Sequence, residues 1–182
     1  MQNGVEPYLA AHAEEFYWER ESGHPIHVLR YRAFRPRGVV VISHGFTENA
    51  EKYKEIVYYF IKEHFHVYLP EHCGHGKSYR LVEDPSLVYV DSYHRYVEDL
   101  LFVARKAKAE ACGLPLVLYS HSMGGGIAAS VPESVLEFAD DPSADRKSAV
   151  RRCKTDRSFC LCHRTRHTVC GRTETIPGNR KL

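Results

Sequence analysis

The sequence lacks the features that would direct it to a membrane or to nucleic acid. It has no run of about 18 apolar residues, which a membrane-spanning helix would need. Its first residues show neither the basic start nor the apolar segment of a secretory leader. The formal net charge is only +2 over 182 residues, so charge gives no reason to expect a nucleic-acid partner. These absences predict a cytoplasmic protein.

The composition is that of one globular domain. Hydrophobic residues make up 43 % and charged residues 26 % of the chain, which is ordinary for such a domain, and the length suits one core better than two. The chain has 6 cysteines but no export leader. We therefore expect reduced thiols and no disulfide framework.

The hydrophobic pattern of residues 14–130 predicts alternating strands and helices. Two stretches rich in aromatic and β-branched residues flank Ser22 and Gly23, which predicts a β-hairpin. The apolar runs in "GVVVISHG", "HVYLPEH" and "LVLYSHS" predict strands that are buried on both faces. Amphipathic helices are predicted over residues 48–65 and 91–110. The predicted fold class is α/β, with a mostly parallel sheet of about five strands flanked by three helices.

The helical period also predicts which side chains of the two long helices are buried. They are Tyr53, Ile56, Val57, Phe60 and Ile61 in the first helix, and Tyr96, Val97, Leu100, Leu101 and Ala104 in the second. Asp91 or Ser92 is expected to cap the second helix.

Residues 131–182 have a different character. They contain only two aromatic residues, Phe138 and Phe159, but 4 of the 6 cysteines and 11 basic against 7 acidic side chains. Neither a helical nor an alternating period runs through them. We therefore divide the chain into a partial α/β core at residues 1–130 and an irregular tail at residues 131–182, expected to be non-native or disordered. Truncation or a disrupted reading frame near residue 130 would produce this change.

The segment "YSHSMGG" has the pattern of an exposed nucleophile. A serine hydroxyl attacks a carbonyl only when it projects from the backbone and a base takes its proton. A sharp strand-to-helix turn provides the projection, and it requires small residues two positions before and after the serine. Ser120 and Gly124 meet this requirement around Ser122, although the usual pattern has glycine at the first position.

Two loops supply hydrogen-bond donors for the oxyanion that this attack would create. Met123 lies at the start of the predicted helix, where its backbone N–H can stabilise a negative charge. The sequence "HGF" directly follows an earlier buried strand and can turn the N–H of Phe46 toward the same pocket.

Residues 14–130 resemble the α/β-hydrolase superfamily, in particular the serine-aminopeptidase-like branch that contains monoacylglycerol lipases and bacterial lysophospholipases. The matching segments, in chain order, are "VVVISHGFTEN", "LPEHCGHGKS", "SYHRYVEDL" and "SHSMGG". Glu71 and Cys73 stand where the family has Asp and Arg. These departures concern the stability of that turn more than the chemistry.

The resemblance implies a serine hydrolase of carboxylic esters that forms an acyl-enzyme at Ser122, with Phe46 and Met123 as the oxyanion donors. It implies a lysophospholipid or monoacylglycerol substrate, reached by transient contact with a membrane surface, and it implies neither a metal nor a cofactor. It also places His44, Gly45 and His121 beside the substrate, without a catalytic role.

The chain offers no clear triad partners for Ser122. In this fold the acid and the histidine follow the serine on loops after later strands. The candidates are the acids Asp140, Asp141, Asp145 and Asp156 and the bases His163 and His167, none of which follows an apolar strand. Both partners stay unassigned. If later strands are missing, the strand at residues 114–119 has an open edge that favours self-association.

Two other interpretations stay open. The chain could be an inactive fragment or a protein that binds an acyl ligand without turnover. Alternatively, the tail could hold zinc through Cys153, Cys160, Cys162, His163, His167 and Cys170, although their spacing matches no common paired arrangement.

Overall fold

The computed structural model describes residues 2–111, 113–131, 151–155 and 158–162. In chain order the elements are α1 (Gln2–Ala10), β1 (Ala13–Glu19), β2 (Pro25–Tyr31), β3 (Gly38–Ser43), a 3₁₀ turn (Ala50–Tyr53), α2 (Lys54–Lys62), β4 (Phe65–Pro70), α3 (Tyr93–Glu110), β5 (Leu116–His121), α4 (Met123–Ala129), β6 (Arg151–Thr155) and β7 (Ser158–Cys162). Among the described residues, no helix is both long enough and apolar enough to cross a membrane.

The strands form one sheet in the order β1-β2-β4-β3-β5-β7-β6. Strand β3 lies at the centre and pairs in parallel with β4 and β5. The other pairings are antiparallel, including the predicted hairpin of β1 and β2. The α/β fold class is confirmed, and the sheet is mixed because antiparallel hairpins flank its parallel centre.

The central strand is buried on both faces, as its continuous apolar run predicts. Val39 and Val41 pack into one core cluster, and Val40 and Ile42 pack into a second. Successive side chains of a strand point to opposite faces, so an all-apolar strand requires cover on both sides. Helices α3 and α4 contribute to the first cluster, while α1 and α2 contribute to the second.

The predicted helix faces are confirmed. Tyr53, Val57 and Ile61 are buried, and Ile56 and Phe60 pack partly buried against the same cluster. In α3 the predicted side chains are buried except Leu101, which is partly buried. Ser92 caps α3, since its side chain accepts a hydrogen bond from the His94 backbone N–H at 3.3 Å. Helix α1 was not predicted, and Leu9 anchors it in the second cluster.

Two segments of the tail are strands, which differs from the irregular structure expected there. Strand β7 pairs antiparallel with β5, and β6 pairs with β7. Leu118–His121, at the carboxyl end of the edge that was expected to be open, therefore pair with β7. Self-association stays a prediction. The six zinc candidates and the triad candidates have side chains that lie outside the described residues, so the division at residue 130 and the zinc alternative stay predictions.

Candidate active site

Ser122 lies on a sharp turn between β5 and α4. Its backbone has φ 52° and ψ −120°, a conformation that residues with a side chain rarely adopt. The residue is exposed, and within the described part of the chain no side chain hydrogen-bonds its hydroxyl. The turn thus presents a free hydroxyl at the carboxyl end of a central strand, as the motif predicts.

Gly124 explains why this turn needs a small residue two positions after the serine. A Cβ at Gly124 would lie 2.1 Å from the carbonyl oxygen of Ser43 and 2.6 Å from that of His44. The first turn of α4 therefore rests directly on the backbone at the end of β3. Ser120, at the other small position, is 1 % exposed and pairs with Ser43 across the two strands. Serine fits where the usual pattern has glycine.

The two backbone groups predicted to stabilise an oxyanion lie on the segments that follow β3 and β5. Phe46 follows the end of β3 by two residues of loop, and Met123 is the first residue of α4. Among the described residues, neither backbone N–H donates to an acceptor. Unused N–H groups at a helix start and on an adjoining loop are the donors that an oxyanion site requires.

The ring of His44 supports the loop after β3 from inside. His44 is 0 % exposed. Its Nδ1–H donates to the Gly45 carbonyl oxygen at 2.8 Å, and its Nε2 accepts from the His72 backbone N–H at 2.9 Å. Burial lowers the pKa of His44 to about 4. Because both nitrogens are engaged and the ring is not accessible, His44 holds the loop and does not present its side chain to a substrate.

Two further histidines extend this buried group. The rings of His72 and His75 lie 4.4 and 5.1 Å from the ring of His44. His72 hydrogen-bonds the Ser43 hydroxyl at 3.0 Å, and His75 accepts from the Thr47 backbone N–H at 3.1 Å. Burial lowers the pKa of both rings. The three neutral imidazoles thus tie the loop after β3 to the loop after β4.

Glu71 fixes the loop after β4 and was missed by the sequence analysis as a hydrogen-bonding centre. Its carboxylate accepts from His27 Nδ1 at 2.8 Å and from the backbone N–H groups of Ala50 and Lys77 at 2.9 and 2.7 Å. Burial raises the pKa of Glu71, but these hydrogen bonds outweigh burial and hold it at about 2. Glutamate in place of the family's aspartate therefore leaves this turn well bonded.

Gly76 makes room for that carboxylate. Its φ is +48°, and a Cβ there would lie 2.0 Å from Glu71 Oε2. Cys73, the other departure from the family pattern, is 1 % exposed and packs in the first core cluster. Burial raises the pKa of its thiol to about 11, so Cys73 is an inert core residue.

Glu48 links the loop after β3 to the strand that carries the serine. Its carboxylate accepts from Lys52, from the Tyr53 hydroxyl and from the Gly45 N–H, and lies 3.3 Å from Nδ1 of His121. Burial raises the pKa of Glu48, but the hydrogen bonds outweigh it and bring the pKa to about 2. His121 therefore faces Glu48, and within the described residues no imidazole hydrogen-bonds Ser122.

The residues missed by sequence reasoning share one property. His27 and Glu71 are 44 positions apart, and Arg20 and Asp99, a partly buried ion pair at 2.7 Å, are 79 apart. Neither pairing leaves a local pattern in the sequence. The only available sign was Glu71 itself, a charged residue placed directly after the apolar strand β4.

The comparisons with known proteins agree with this geometry. The family model described as serine aminopeptidase, S33, matches residues 35–137. The chain is 35 % identical to lysophospholipase L2 of Escherichia coli over 57 % of its own length, and 36 % identical to monoacylglycerol lipase of Mycolicibacterium smegmatis over 50 %. In both cases it spans 31 % of the relative.

Solved structures show the same fold. A carboxyl esterase from Bacillus coagulans in complex with glycerol superposes with a TM-score of 0.57 at 25 % identity, over 64 % of this chain and 38 % of the esterase. The strand-turn-helix around Ser122 and the family match over more than half of the chain lead to one conclusion. This chain belongs to the serine aminopeptidase S33 family of α/β hydrolases.

Proposed function

We propose that the chain carries the nucleophile and the oxyanion donors of a serine hydrolase of carboxylic esters. Ser122 attacks the ester carbonyl and forms an acyl-enzyme, while the backbone N–H groups of Phe46 and Met123 stabilise the negative oxygen. The observation that carries the proposal is the exposed, unbonded hydroxyl of Ser122 on a strained turn that is followed directly by the unused N–H of Met123.

The proposed substrate is a lipid ester, a lysophospholipid or a monoacylglycerol. Support comes from the relatives, which are named a lysophospholipase and a monoacylglycerol lipase. We also propose that the protein is cytoplasmic and that it contacts a membrane surface transiently to reach the lipid. Gly45 and His121 are proposed to border the substrate, because Gly45 precedes Phe46, His121 precedes Ser122, and a Cβ at Gly45 would lie 3.1 Å from Nδ1 of His121.

The proton of Ser122 needs an acceptor. The buried rings of His44, His72 and His75 are held by other partners, and His121 faces Glu48. The base and the acid therefore have to come from outside the described residues. Without a base, the rate of a serine hydrolase falls on the order of 10⁴- to 10⁶-fold.

Labelling with a fluorophosphonate probe tests this proposal. Such a probe modifies a serine only when it is activated, so we expect labelling of the full chain that disappears in Ser122→Ala. Ser130→Ala is the matched control, because Ser130 is an exposed serine at the other end of α4, and it should label like the wild type. Labelling that persists in Ser122→Ala would overturn the assignment of the nucleophile.

The absence of an imidazole at Ser122 within the described residues favours a second candidate function. In that case the chain binds the acyl ester in the same pocket without hydrolysing it. A folded chain that binds a monoacylglycerol but neither labels nor releases fatty acid would establish binding without turnover.

A further inference from the structure

A cleft of about 220 Å³ adjoins the proposed oxyanion loop. Its walls are residues 47–49 from the loop after β3, residues 74–76 with Arg80 from the loop after β4, and Pro85, Ser86 and Val88. We call it the Arg80 cleft. Neither the sequence motifs nor the proposed chemistry at Ser122 assigns it a role.

The charge of Arg80 is not balanced by a carboxylate. Its guanidinium donates to the carbonyl oxygens of Gly74 and Gly76, which are neutral acceptors. Within the part of the chain that the structure describes, Arg80 forms no ion pair, whereas Arg20, Arg30 and Arg95 each contact at least two carboxylates. Arg80 is half-buried, so its charge lies in the cleft wall and not in open solvent.

Two acidic residues at the cleft, Glu48 and Asp84, already accept hydrogen bonds from other groups. Glu48 lines the cleft, but its carboxylate accepts from Lys52, Tyr53 and the Gly45 N–H. Asp84 accepts from the backbone N–H and the hydroxyl of Ser86 at 2.8 and 2.7 Å. The lining residue His75 is a buried ring whose pKa is lowered by burial. Among the described residues, neither carboxylate therefore pairs with the guanidinium of Arg80.

The Arg80 cleft adjoins the loop that carries the proposed oxyanion donor Phe46. Thr47, which lines it, follows the donor Phe46 in sequence, and the Thr47 N–H donates to His75. The ring of Phe46 packs edge-to-face on the ring of His75 at 5.7 Å. Two residues of the cleft wall, Thr47 and His75, are thus direct neighbours of the residue proposed to hold the ester oxygen.

We propose that the Arg80 cleft binds the phosphodiester of a lysophospholipid headgroup, and that Arg80 is the residue that selects this substrate over a monoacylglycerol. This inference rests on the proposed function, whose substrate class it narrows. A guanidinium matches a phosphate with paired hydrogen bonds as well as charge. The glycerol of a monoacylglycerol carries no charge and would leave Arg80 without an anion.

The test compares ligands that share parts of the substrate. Binding to the full chain is measured by calorimetry for a lysophosphatidylcholine and a monoacylglycerol of the same short acyl chain, for glycerophosphocholine, and for inorganic phosphate. We expect the lysophospholipid to bind at least about tenfold more tightly than the monoacylglycerol. Arg80→Gln should remove that advantage and leave monoacylglycerol affinity unchanged.

Two variants separate charge from loop structure. Arg80→Gln removes the charge and also the hydrogen bonds to Gly74 and Gly76. A second variant, Ser86→Glu, therefore adds a negative charge at the cleft while Arg80 keeps these hydrogen bonds. Ser86→Glu should weaken the binding of the lysophospholipid and leave that of the monoacylglycerol unchanged. Arg105→Gln removes an exposed arginine of α3 that has no ion pair among the described residues and does not line the cleft. It should change neither affinity.

The outcomes distinguish this inference from the proposed function. Equal affinity for both lipids, unaffected by Arg80→Gln, would overturn the headgroup site and leave the ester hydrolase intact. Arg80-dependent binding of inorganic phosphate without a lysophospholipid advantage would also overturn it, because the anion would then be a free phosphate. Failure of both lipids to bind, together with failure of Ser122 to label, would refute the proposed function itself.

Discussion

The turn after β5 and the loops after β3 and β4 are held in place by opposite means. The turn at Ser122 is shaped by backbone contact, because Gly124 lets α4 rest on the carbonyl of Ser43. The loops after β3 and β4 are held by buried side chains, which are His44, His72, His75 and Glu71. At the turn, the hydroxyl of Ser122 has no hydrogen-bond partner among the described residues. In the loops, the buried histidines and Glu71 are all engaged in hydrogen bonds.

This difference separates reactivity from support. A side chain that is buried with its hydrogen-bonding atoms engaged cannot accept a proton from a substrate or from Ser122 without breaking those bonds. Ser122 has no such bonds among the described residues, and its unfavourable φ is maintained by the packing of Gly124. The histidine-rich loops therefore hold the oxyanion loop in place, and the chemistry belongs to the turn.

The largest test of this comparison removes the centre of the side-chain network. Glu71→Ala should lower the free energy of unfolding by about 3 to 5 kcal/mol, because it leaves His27 and two backbone N–H groups without their buried acceptor. Urea unfolding followed by circular dichroism measures the change.

Glu15→Ala is the matched control for that variant. Glu15 contacts the other nitrogen of His27 at 2.8 Å, but its side chain is 44 % exposed. Water can replace it, so the loss of stability should be much smaller than in Glu71→Ala. Similar losses in the two variants would mean that the Glu71 network does not hold the loops.

The second test attacks the backbone packing at the turn. Gly124→Ala places a Cβ 2.1 Å from a backbone oxygen, which cannot move without shifting β3. The expected loss is about 3 kcal/mol. Gly126→Ala, in the same helix, meets only the Tyr93 hydroxyl at 3.4 Å, and it should be neutral or stabilise by up to about 1 kcal/mol. Equal thermal unfolding of the two variants would contradict the packing argument.

The third test measures how the free energy of unfolding depends on pH, because the loops after β3 and β4 contain buried histidines. Burial lowers the pKa of His44 from 6.5 to about 4. Between these pH values the His44 ring is therefore protonated in the unfolded chain but neutral in the folded chain. Stability therefore falls as the pH falls from 6.5 toward 4. The loss should reach about 2 kcal/mol near pH 5 from this ring. Unfolding free energies measured across this range give the slope.

Two histidine variants identify the source of that slope. His44→Gln should reduce the slope by the share of His44 and leave the share of His72 and His75, whose pKa values burial also lowers. His94→Gln, which changes an exposed residue of α3, is the control and should not reduce it. A second loss is expected between pH 4.5 and 2, where the depressed pKa values of Glu71 and Glu48 apply. An identical slope in wild type and His44→Gln would remove His44 from the explanation.

The same contrast explains what could be predicted from the sequence. The turn at Ser122 depends on neighbours two positions away, and a short pattern records them. The strands and the faces of α2 and α3 follow from local periods in the same way. The pairing of His27 with Glu71 joins residues 44 positions apart, and helix α1 is held by contact with α2. Such contacts join residues that are distant in the sequence and form only when the chain folds. No short sequence pattern therefore predicts them.

The smallest expected effect concerns the strain at Ser122 itself. Glycine adopts φ 52° and ψ −120° far more easily than serine, so Ser122→Gly should stabilise the chain by about 1 kcal/mol after the entropy of the unfolded glycine is included. Ser122→Ala keeps a Cβ in the same conformation and should change stability little, since the hydroxyl has no partner among the described residues. Differential scanning calorimetry resolves the two variants.

A stability gain confined to Ser122→Gly would show that the turn, and not the hydroxyl, carries the strain. It would also show why the strain persists, because only the serine supplies a nucleophile, and fluorophosphonate labelling should be lost in both variants. If Ser122→Ala were the more stable of the two, the strain would lie in the placement of the hydroxyl. The contrast between a backbone-held turn and side-chain-held loops would then fail at the residue on which it depends most.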